Sequence, residues 1–292
     1  MNSMEFQTVL PVLQIAGLCA VSVIALDFSF YLLAWIFIFF VTRFYSIKKE
    51  YTCPSRFSYS LLNFGYRIIC RMARVKIHFN EGSAELNPGE SKAEKAQAEE
   101  ARSDPATPET AVKSENLSLP EGNFLFVSNH ISKFDNMIHS ICFGNKNRLA
   151  FVSKPENFKI PMGGRLIKRN CYIRLERGVG RSAIEMIHKT TGLISNRICS
   201  IGIFPEGTRS TDGNLLPFKP GVFKIAERAG CPVVVGVTRN TQSIHKNFPL
   251  KKTHVYFDII KVYSLQEVQE KGTQALSEEI ENLVKKALNG SA

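Results

Sequence analysis

Two apolar runs at the N-terminus form the longest hydrophobic stretch of the chain. They cover residues 9–26 and 28–41 and are separated only by Asp27. Together they exceed the roughly 20 residues that one bilayer crossing requires, whereas each run alone is short. The pattern fits either a helical hairpin that turns near Asp27 or a single tilted span centred on residues 20–40. A buried core helix is disfavoured because the second run has no polar face. We therefore expect residues 1–50 to be a hydrophobic membrane-anchoring segment.

Basic side chains follow this segment and give it an orientation. They are Arg43, Lys48, Lys49, Arg56, Arg67, Arg71, Arg74 and Lys76. Lys and Arg are concentrated in the cytoplasmic loops next to membrane spans. We therefore expect a membrane protein whose remaining chain, with any active site, lies on the cytoplasmic face.

Residues 51–76 combine this positive charge with helical periodicity. Apolar residues recur at intervals of three and four, and Arg67, Arg71 and Arg74 lie between them. A basic amphipathic helix of this kind lies in the headgroup layer of a membrane, or covers the core of a domain as an ordinary surface helix. The two interpretations can hold together on opposite faces, and the pattern leaves both open.

A polar segment without aromatic residues follows a predicted strand at residues 75–79. Residues 81–122 contain ten acidic and four basic residues and only four large aliphatic ones. Such a segment buries too little apolar surface to offset the entropy lost on ordering it. We therefore predict a disordered or loosely helical polar insert at about 81–121, which loops out of a domain covering residues 77–292.

Beyond this segment, short apolar runs with strand composition alternate with amphipathic helical runs. The predicted strands, including the one before the insert, cover residues 75–79, 123–128, 148–153, 171–175, 198–204, 231–238 and 254–260. The predicted helices cover residues 182–195, residues 221–229 and a segment that begins at Ser277. Ser182 and Glu185 form a capping box that opens the first of these helices. The alternation predicts an α/β fold, with a mixed, largely parallel sheet, helices on both faces, and preceding N-terminal membrane-associated helices.

The charge of the chain is uneven. The formal net charge is +11, and residues 81–122 contribute −6, so the remainder carries +17. A basic body suits nucleic acid or an anionic membrane surface, and the aromatic-rich N-terminus favours membrane lipids over nucleic acid. Seven cysteines without a CxxC spacing are expected to be mostly buried thiols and not a disulfide framework.

A histidine and an aspartate five residues apart follow the strand predicted at residues 123–128. His130 lies at the carboxyl end of this strand, where open α/β sheets place their sites. If a helix begins nearby, Asp135 is about one turn further on and can reach back to the imidazole. The carboxylate then orients one ring nitrogen and leaves the other to accept a proton. A surface histidine beside a helix N-cap aspartate is the alternative for an isolated pair.

The segment FPEGTR, residues 204–209, follows another buried strand and has the composition of a phosphate site. Gly207 permits a positive φ or a close backbone approach, and Arg209 can donate two parallel hydrogen bonds to a phosphate. Thr208 and backbone N–H groups add neutral donors, while Glu206 can order Arg209 or hold a hydroxyl. Lys219 adds another cation nearby in the sequence.

Two further cations become candidates through their positions at strand ends. Lys154 ends one predicted strand, and Arg177 follows the strand at residues 171–175. If these strands run parallel to the strand before His130, both cations lie at the same edge of the sheet. Taken alone, either residue would be an ordinary solvated surface charge.

Two other patterns point to chemistry that the rest of the sequence does not support. His139 lies four residues after Asp135, but no fourth ligand accompanies a His/Asp/His metal site. Residues 178–183 match G-x-G-x-x-A, yet the strand before them carries Arg174 and Glu176 where a buried strand is required. We therefore expect neither a metal nor a dinucleotide cofactor.

These ordered motifs resemble those of the lysophosphatidate acyltransferase family, over about residues 56–260 without the insert. The histidine and aspartate in NHISKFD, residues 129–135, are similar to the family's catalytic pair. The segment YIRLER, residues 172–177, resembles the second block, and FPEGTR resembles the third. Lys154 is similar to a lysine that helps to hold the acceptor phosphate. The fourth block departs because only Pro232 of its usual two prolines is present, and a charged Arg174 is unusual in the second block.

The resemblance implies an O-acyltransferase, with residues 77–292 as a glycerolipid acyltransferase domain. His130 would remove the proton of an acceptor hydroxyl while Asp135 orients the imidazole, and the oxygen would attack the thioester of acyl-CoA or acyl-carrier protein. The implied phosphate-binding set is Lys154, Arg177, Glu206, Gly207, Thr208 and Arg209. The implied reaction converts lysophosphatidate to phosphatidate in phospholipid synthesis, with the thioester as co-substrate and no metal or other cofactor.

Other functions are consistent with the same residues. The acceptor of an acyltransferase could instead be glycerol 3-phosphate or another lysophospholipid. A membrane-attached lipid hydrolase could use His130 and Asp135 to activate water. A non-catalytic membrane-binding protein would have no use for the pair, and its properties would not change if His130 were replaced.

Overall fold

The computed structural model describes residues 3–81, 118–176, 178–210 and 213–289. Most of the predicted insert at about 81–121, together with the candidate Arg177, lies outside these described residues, so both stay predictions. Contacts along the chain divide it into two compact units, Met1–Lys49 and Glu50–Ala292.

The first unit contains one continuous helix, α1 (Ser3–Arg43). Of the two expected arrangements, the structure has the single helix and not the hairpin, because no Gly or Pro lies near Asp27 to end the helix. Ser29 also fits within the helix, where its hydroxyl donates to the carbonyl of Ala25 at 2.8 Å. The 19 residues Ala25–Arg43 have a mean hydropathy of 1.9 and are long and apolar enough to cross a membrane, by length and composition. Only 17% of this window is buried, unlike a core helix.

The second unit contains the remaining helices and all the strands found in the described residues. The helices are α2 (Arg56–Met72), α3 (Asp135–Phe143), α4 (Gly163–Arg169), α5 (Gly180–Ser195), α6 (Lys224–Ala229), α7 (Ser243–Asn247) and α8 (Leu265–Asn289). The strands are β1 (Val75–Glu81), β2 (Leu125–Ser128), β3 (Leu149–Ser153), β4 (Ile173–Arg174), β5 (Ser200–Ile203), β6 (Val233–Arg239) and β7 (Thr253–Tyr263). Short 3-10 helices cover Pro155–Lys159 and Pro220–Val222.

The strands form one sheet in the order β1-β7-β6-β2-β5-β3-β4. All neighbouring strands are parallel except β6 and β7, which are antiparallel. The predicted mixed, largely parallel sheet is therefore confirmed. Strands β6, β2, β5 and β3 point the same way, so their carboxyl ends share one side of the sheet, which we call the carboxyl edge. Strand β7 begins at the carboxyl edge and ends at the opposite edge.

Helices cover the sheet in two groups, of which α2, α3 and α4 are one and α5, α6 and α8 the other. Below α3, aromatic rings pack on the sheet: the Phe126 ring lies 5.0 Å from that of Phe143 and 5.8 Å from that of Phe257. These three side chains are all buried. Burial of apolar surface of this extent is the main force that holds α3, and thus its first residue Asp135, against the sheet.

Helix α2 covers the domain core, as one of its two interpretations predicted. Most of its apolar side chains are buried, and the hydroxyl of Tyr59 accepts a hydrogen bond from the Leu149 N–H of β3 at 2.9 Å. The hydroxyl of Ser55 caps the helix by accepting from the Ser58 N–H. The outer face exposes two aromatic and three cationic residues: Arg56, Phe57, Phe64, Arg67 and Arg71. The second interpretation, a headgroup-layer helix, therefore has a suitable face.

Two predicted helix starts are corrected. Helix α5 begins at Gly180, two residues before the expected capping box, and the Ser182 hydroxyl accepts from the Glu176 N–H at 3.0 Å instead. The C-terminal helix begins at Leu265, well before Ser277, and is interrupted at Gly272. A reciprocal capping box forms at the start of this helix, because the Ser264 hydroxyl accepts from the Glu267 N–H and the Glu267 carboxylate accepts from the Ser264 N–H.

All seven cysteines lie in the described residues and are free thiols. Four of them are buried, namely Cys70, Cys171, Cys199 and Cys231, in agreement with the expectation of mostly buried thiols. Burial raises the pKa of the Cys171 thiol to about 11 and that of Cys70 to about 12, so both are poor nucleophiles at neutral pH.

Candidate active site

His130 and Asp135 form a hydrogen-bonded pair at the carboxyl edge. His130 follows β2 by two residues, and Asp135 is the first residue of α3. The Nδ1 atom of His130 lies 2.8 Å from Oδ2 of Asp135. The Asp135 side chain is fully buried, while 17% of the His130 side chain is exposed, so the ring can be reached from outside. The pair therefore has the geometry of a base held by a carboxylate.

The Asp135 carboxylate is buried, and several donors satisfy it. Its Oδ2 atom also accepts from the backbone N–H groups of Ile131 and Ser132, each at 2.8 Å. Its Oδ1 atom accepts from the Thr241 hydroxyl at 2.5 Å. Charge-assisted hydrogen bonds of this kind are about twice as strong as neutral ones and compensate the burial of a negative charge. The loop from His130 to Asp135 is thus wrapped around one carboxylate.

Asn129 ties this loop to the neighbouring strand β6. Its amide nitrogen donates to the carbonyl of Thr238 at 2.9 Å, and its amide oxygen accepts from the Thr238 N–H at 2.8 Å. The side chain thereby continues the hydrogen-bond pattern of a strand beyond the end of β2. His130, the next residue, leaves the sheet from a fixed point.

The FPEGTR turn lies directly against His130. The imidazole of His130 stacks on the Phe204 ring, with 3.9 Å between centroids and 11° between planes. The Glu206 carboxylate accepts from the His130 N–H at 2.6 Å, and the His130 carbonyl accepts from the Ser210 N–H at 2.9 Å. Two segments 76 residues apart are thus joined by hydrogen bonds on both sides of the histidine.

The Glu206 carboxylate accepts hydrogen bonds from two separate backbone segments. Its Oε1 atom is bonded to His130, and its Oε2 atom accepts from the Leu216 N–H at 3.0 Å. The side chain is buried, and burial raises the pKa of its carboxyl to about 7, although the two backbone donors oppose this shift. The residue therefore joins the His130 loop to the chain segment that follows the FPEGTR turn.

Glu206 should make folding stability depend on pH. The pKa of this carboxyl lies at about 7 in the folded chain and has an ordinary value of 4.5. Between these values the folded state binds more protons than the unfolded state, so this group lowers the free energy of unfolding as pH rises. We expect the unfolding free energy of the wild type minus that of Glu206→Gln, measured by urea titration, to decline from about pH 4.5 to about pH 7. A difference that is constant over this range would contradict the expectation.

Gly207 adopts a conformation that other residues rarely take. Its φ is +73°, and a Cβ atom at this position would lie 2.8 Å from Nζ of Lys219. The Lys219 N–H donates to the carbonyl of Pro205 at 3.0 Å, which holds the lysine beside the turn. The glycine thus makes room for an exposed ammonium group next to the FPEGTR segment.

The structure describes three of the four other predicted phosphate-binding residues. Thr208 is exposed and Arg209 half-buried on the FPEGTR turn, two residues and one residue before Ser210, which is bonded to His130. Lys154 is exposed and directly follows β3, at the carboxyl edge. The ring of Phe151 in β3 stacks on that of Phe204 at 5.9 Å, which joins the two strand ends. Arg177 lies outside the described residues.

The side chain of His139 is buried in the core, where it contacts other side chains. Its Nε2 atom lies 2.7 Å from the Thr238 hydroxyl, and its ring centroid lies 4.5 Å from that of Phe257. Complete burial lowers the pKa of this imidazole to about 3, so it is neutral. Within the described residues, no group of three or more His, Cys, Asp and Glu side chains could hold a metal ion.

Sequence reasoning missed the part that Thr241 and Asn129 play in holding the site. The Thr241 hydroxyl bonds Asp135 across 106 residues, and the Asn129 amide bonds Thr238 across 109. Threonine after a strand is common, so no sequence signal separates Thr241 from a surface residue. For Asn129 the signal was its place directly before His130.

The family comparison matches the part of the chain that contains both motifs. The family model described as Acyltransferase matches residues 109–237, which include both motifs. This segment of the chain is therefore similar to acyltransferases. It is 37% identical over 120 residues to the 1-acyl-sn-glycerol-3-phosphate acyltransferase BAT2, chloroplastic, of Brassica napus, a match that covers 41% of this chain and 34% of the relative. It is 31% identical over 122 residues to the 1-acyl-sn-glycerol-3-phosphate acyltransferase of Salmonella typhimurium, covering 42% and 49%.

These matches confirm the resemblance to lysophosphatidate acyltransferases, and they span less than half the length of the curated relatives named here. A solved structure shares the fold of this chain. It is the 1-acyl-sn-glycerophosphate acyltransferase PlsC from Thermotoga maritima, with a TM-score of 0.53 and 21% identity. The superposition covers 89% of this chain and 92% of that one.

Proposed function

We propose that this chain transfers a fatty acyl group from an acyl thioester to the free hydroxyl of lysophosphatidate, forming phosphatidate. The observation that carries the proposal is the direct hydrogen bonding of the His130 loop to the FPEGTR turn. It places a carboxylate-held imidazole next to a turn with a cationic side chain. The relatives named for 1-acyl-sn-glycerol-3-phosphate acylation support the choice of acceptor.

The proposed reaction is a direct transfer. With Nδ1 of His130 bonded to Asp135, the Nε2 atom takes the proton of the acceptor hydroxyl as that oxygen attacks the thioester carbonyl. The negative Asp135 stabilises the positive imidazolium that forms. As the tetrahedral intermediate collapses, the C–S bond breaks, and the leaving thiolate takes the proton back from Nε2. The thioester is acyl-CoA or acyl-carrier protein, and no metal or covalent enzyme intermediate takes part.

The acceptor phosphate is proposed to bind beside the imidazole. Arg209 supplies a guanidinium on the FPEGTR turn, Lys219 an ammonium next to Gly207, and Lys154 another from the end of β3. Phosphate binds best to several such donors together. Arg177 belongs to the same set by its motif.

Loss of Arg209 should weaken acceptor binding more than it slows chemistry. A charge-assisted hydrogen bond contributes about 1.5–3 kcal/mol, so we expect Arg209→Ala to raise the acceptor KM by about 10–100-fold with a small change in kcat. Steady-state kinetics with lysophosphatidate measures this. Arg197→Ala is the matched control, because that exposed arginine precedes β5 and lies at the opposite edge of the sheet. Equal KM values for phosphorylated and unphosphorylated acceptors in wild type would refute the phosphate site.

Membrane attachment is part of the proposal. Helix α1 includes a window that can cross a bilayer, and the outer face of α2 carries aromatic and cationic residues suited to headgroups. The acyltransferase domain is proposed to lie on the cytoplasmic face, because basic residues follow α1.

Acceptor dependence of thioester consumption tests the proposed function against hydrolysis. The full chain is reconstituted in vesicles with an acyl thioester, and thiol release is followed with and without lysophosphatidate. We expect release only when the acceptor is present. Equally fast release without acceptor would show a hydrolase, and no release in either case would show a protein without this catalytic activity.

A further inference from the structure

The loop between α7 and β7 exposes two large apolar side chains among lysines. The side chain of Phe248 is 55% exposed and that of Leu250 is 81% exposed. Lys246, Lys251 and Lys252 flank them and are exposed as well. We call residues 246–252 the tip loop. Single exposed apolar residues are normal on a protein surface, but a pair at one turn surrounded by cations is typical of a membrane-binding segment.

Hydrogen bonds hold the tip loop in a defined turn. The Phe248 N–H donates to the carbonyl of Ile244 at 3.0 Å, and the Lys251 N–H donates to that of Asn247 at 2.8 Å. The Asn247 amide donates to the Thr253 hydroxyl at 2.9 Å, which anchors the turn to β7. Ile244 is buried beneath it. Because Ile244 already supplies the inward apolar contact, Phe248 and Leu250 are left facing solvent.

The charge around the tip loop is of one sign. Residues 231–257 contain four Lys and Arg residues and no acidic residue. One of the four, Arg239, is paired with Asp258. The three lysines of the tip loop are therefore available to an anionic partner. Basic residues near an anionic lipid surface are attracted to its headgroups.

The tip loop lies beside the candidate active site. Helix α7, which leads into it, starts two residues after Thr241, whose hydroxyl bonds Asp135. The ring of His245 in α7 meets the Phe134 ring edge-on at 5.7 Å, and Phe134 directly precedes Asp135. Strand β7 begins right after the loop, at the carboxyl edge.

We propose that the tip loop inserts into the anionic surface of a lipid bilayer. Phe248 and Leu250 enter the boundary between headgroups and acyl chains, and Lys246, Lys251 and Lys252 contact anionic headgroups. The loop then turns the carboxyl edge, with His130, toward the bilayer. An acidic carrier protein is a less suitable partner, because the most exposed side chains form an apolar projection. A protein partner would need a concave surface to bury this projection, whereas a membrane needs none.

Depth-dependent fluorescence quenching tests this contact directly. The only tryptophan of the chain, Trp35, is replaced by Phe, and a new tryptophan is placed by Phe248→Trp. The full-length variant is reconstituted in vesicles of phosphatidylglycerol and phosphatidylcholine with brominated acyl chains. Leu265→Trp in the same background is the matched control. Leu265 is also partly exposed but follows the far end of β7, an 11-residue strand, about 35 Å away.

We expect brominated lipid to lower the fluorescence of the Phe248→Trp variant at least twofold and to leave the control nearly unchanged. Adding Lys251→Glu and Lys252→Glu should reduce the quenching in anionic vesicles. Quenching that is absent at position 248, or equal at both positions, would overturn the proposal. If the lysine changes slowed only reactions with a carrier-protein donor, without any lipid quenching, the loop would be a protein-docking surface and the proposal wrong. The inference goes beyond the proposed acyltransfer, and quenching needs no catalytic turnover, so its failure and the failure of that function are distinguishable.

Discussion

Replacing His130 by alanine should lower acyl transfer about 10²–10⁴-fold, the contribution expected of a positioned general base. The imidazole is the titratable side chain that stacks on Phe204 and remains reachable from outside, while its partner Asp135 is fully buried. Its removal leaves the acceptor hydroxyl without a proton acceptor, whereas the side chains proposed to bind the phosphate stay in place. Initial rates with saturating thioester and lysophosphatidate measure the loss, and the acceptor KM should change little.

A matched histidine distinguishes this effect from general damage. His188 is exposed on α5, and His188→Ala should retain wild-type rates. Circular dichroism should show that both variants are folded, because the buried apolar side chains that hold the helices on the sheet are retained. A His130→Ala variant that is folded and retains more than a tenth of the activity would refute its role as the base.

The second large effect is expected for Asp135→Asn, with a loss of about 10²-fold or more in kcat. The amide is nearly the same shape as the carboxylate. Its oxygen can still accept from His130 and the two backbone N–H groups that now bond Oδ2, and its NH₂ group can donate to the Thr241 hydroxyl. The fold is therefore retained, while the negative charge that stabilises the imidazolium is lost. Rapid-mixing or steady-state kcat measurements at saturating substrates detect this.

Thr241 offers a graded control for the same carboxylate. Thr241→Val removes one donor to Asp135 but keeps its charge, so we expect a loss of about tenfold, corresponding to one hydrogen bond to a charged group. Thr241→Ser retains the hydroxyl and should recover most of the rate. If Asp135→Asn were as active as wild type, or if Ser and Val at position 241 behaved alike, the carboxylate would not act through the imidazole.

The strands and the two motifs were predictable because their signals are local. Buried strands appear as apolar runs: β5 lies within its expected run, and β6 extends only one residue beyond its own. His130 and Glu206 sit just beyond the ends of β2 and β5, as sites in α/β sheets do. The direct contact between their segments required only that β2 and β5 be adjacent and parallel, which the sheet confirms.

Other features depend on contacts that the sequence does not record. The Ser182–Glu185 pattern fits a capping box, but the helix begins earlier because Ser182 bonds back to Glu176. Lys219 was recognised only as a nearby cation, and its approach to Gly207 depends on the path of the chain after the turn. Glu206 was expected to face Arg209 or a hydroxyl, and instead two backbone N–H groups hold it. Each of these outcomes was decided by tertiary packing.

The central claim is that the base and the phosphate seat share one pocket, and chemical protection of His130 tests it most directly. Diethylpyrocarbonate should modify this partly exposed imidazole, and mass spectrometry of its peptide gives the rate. A lysophosphatidate analogue that lacks the acceptor hydroxyl should slow the modification, and Arg209→Ala should require at least about tenfold more analogue for the same protection. If saturating analogue left the modification rate of His130 unchanged, the base and the phosphate site would be separate and the account would be wrong.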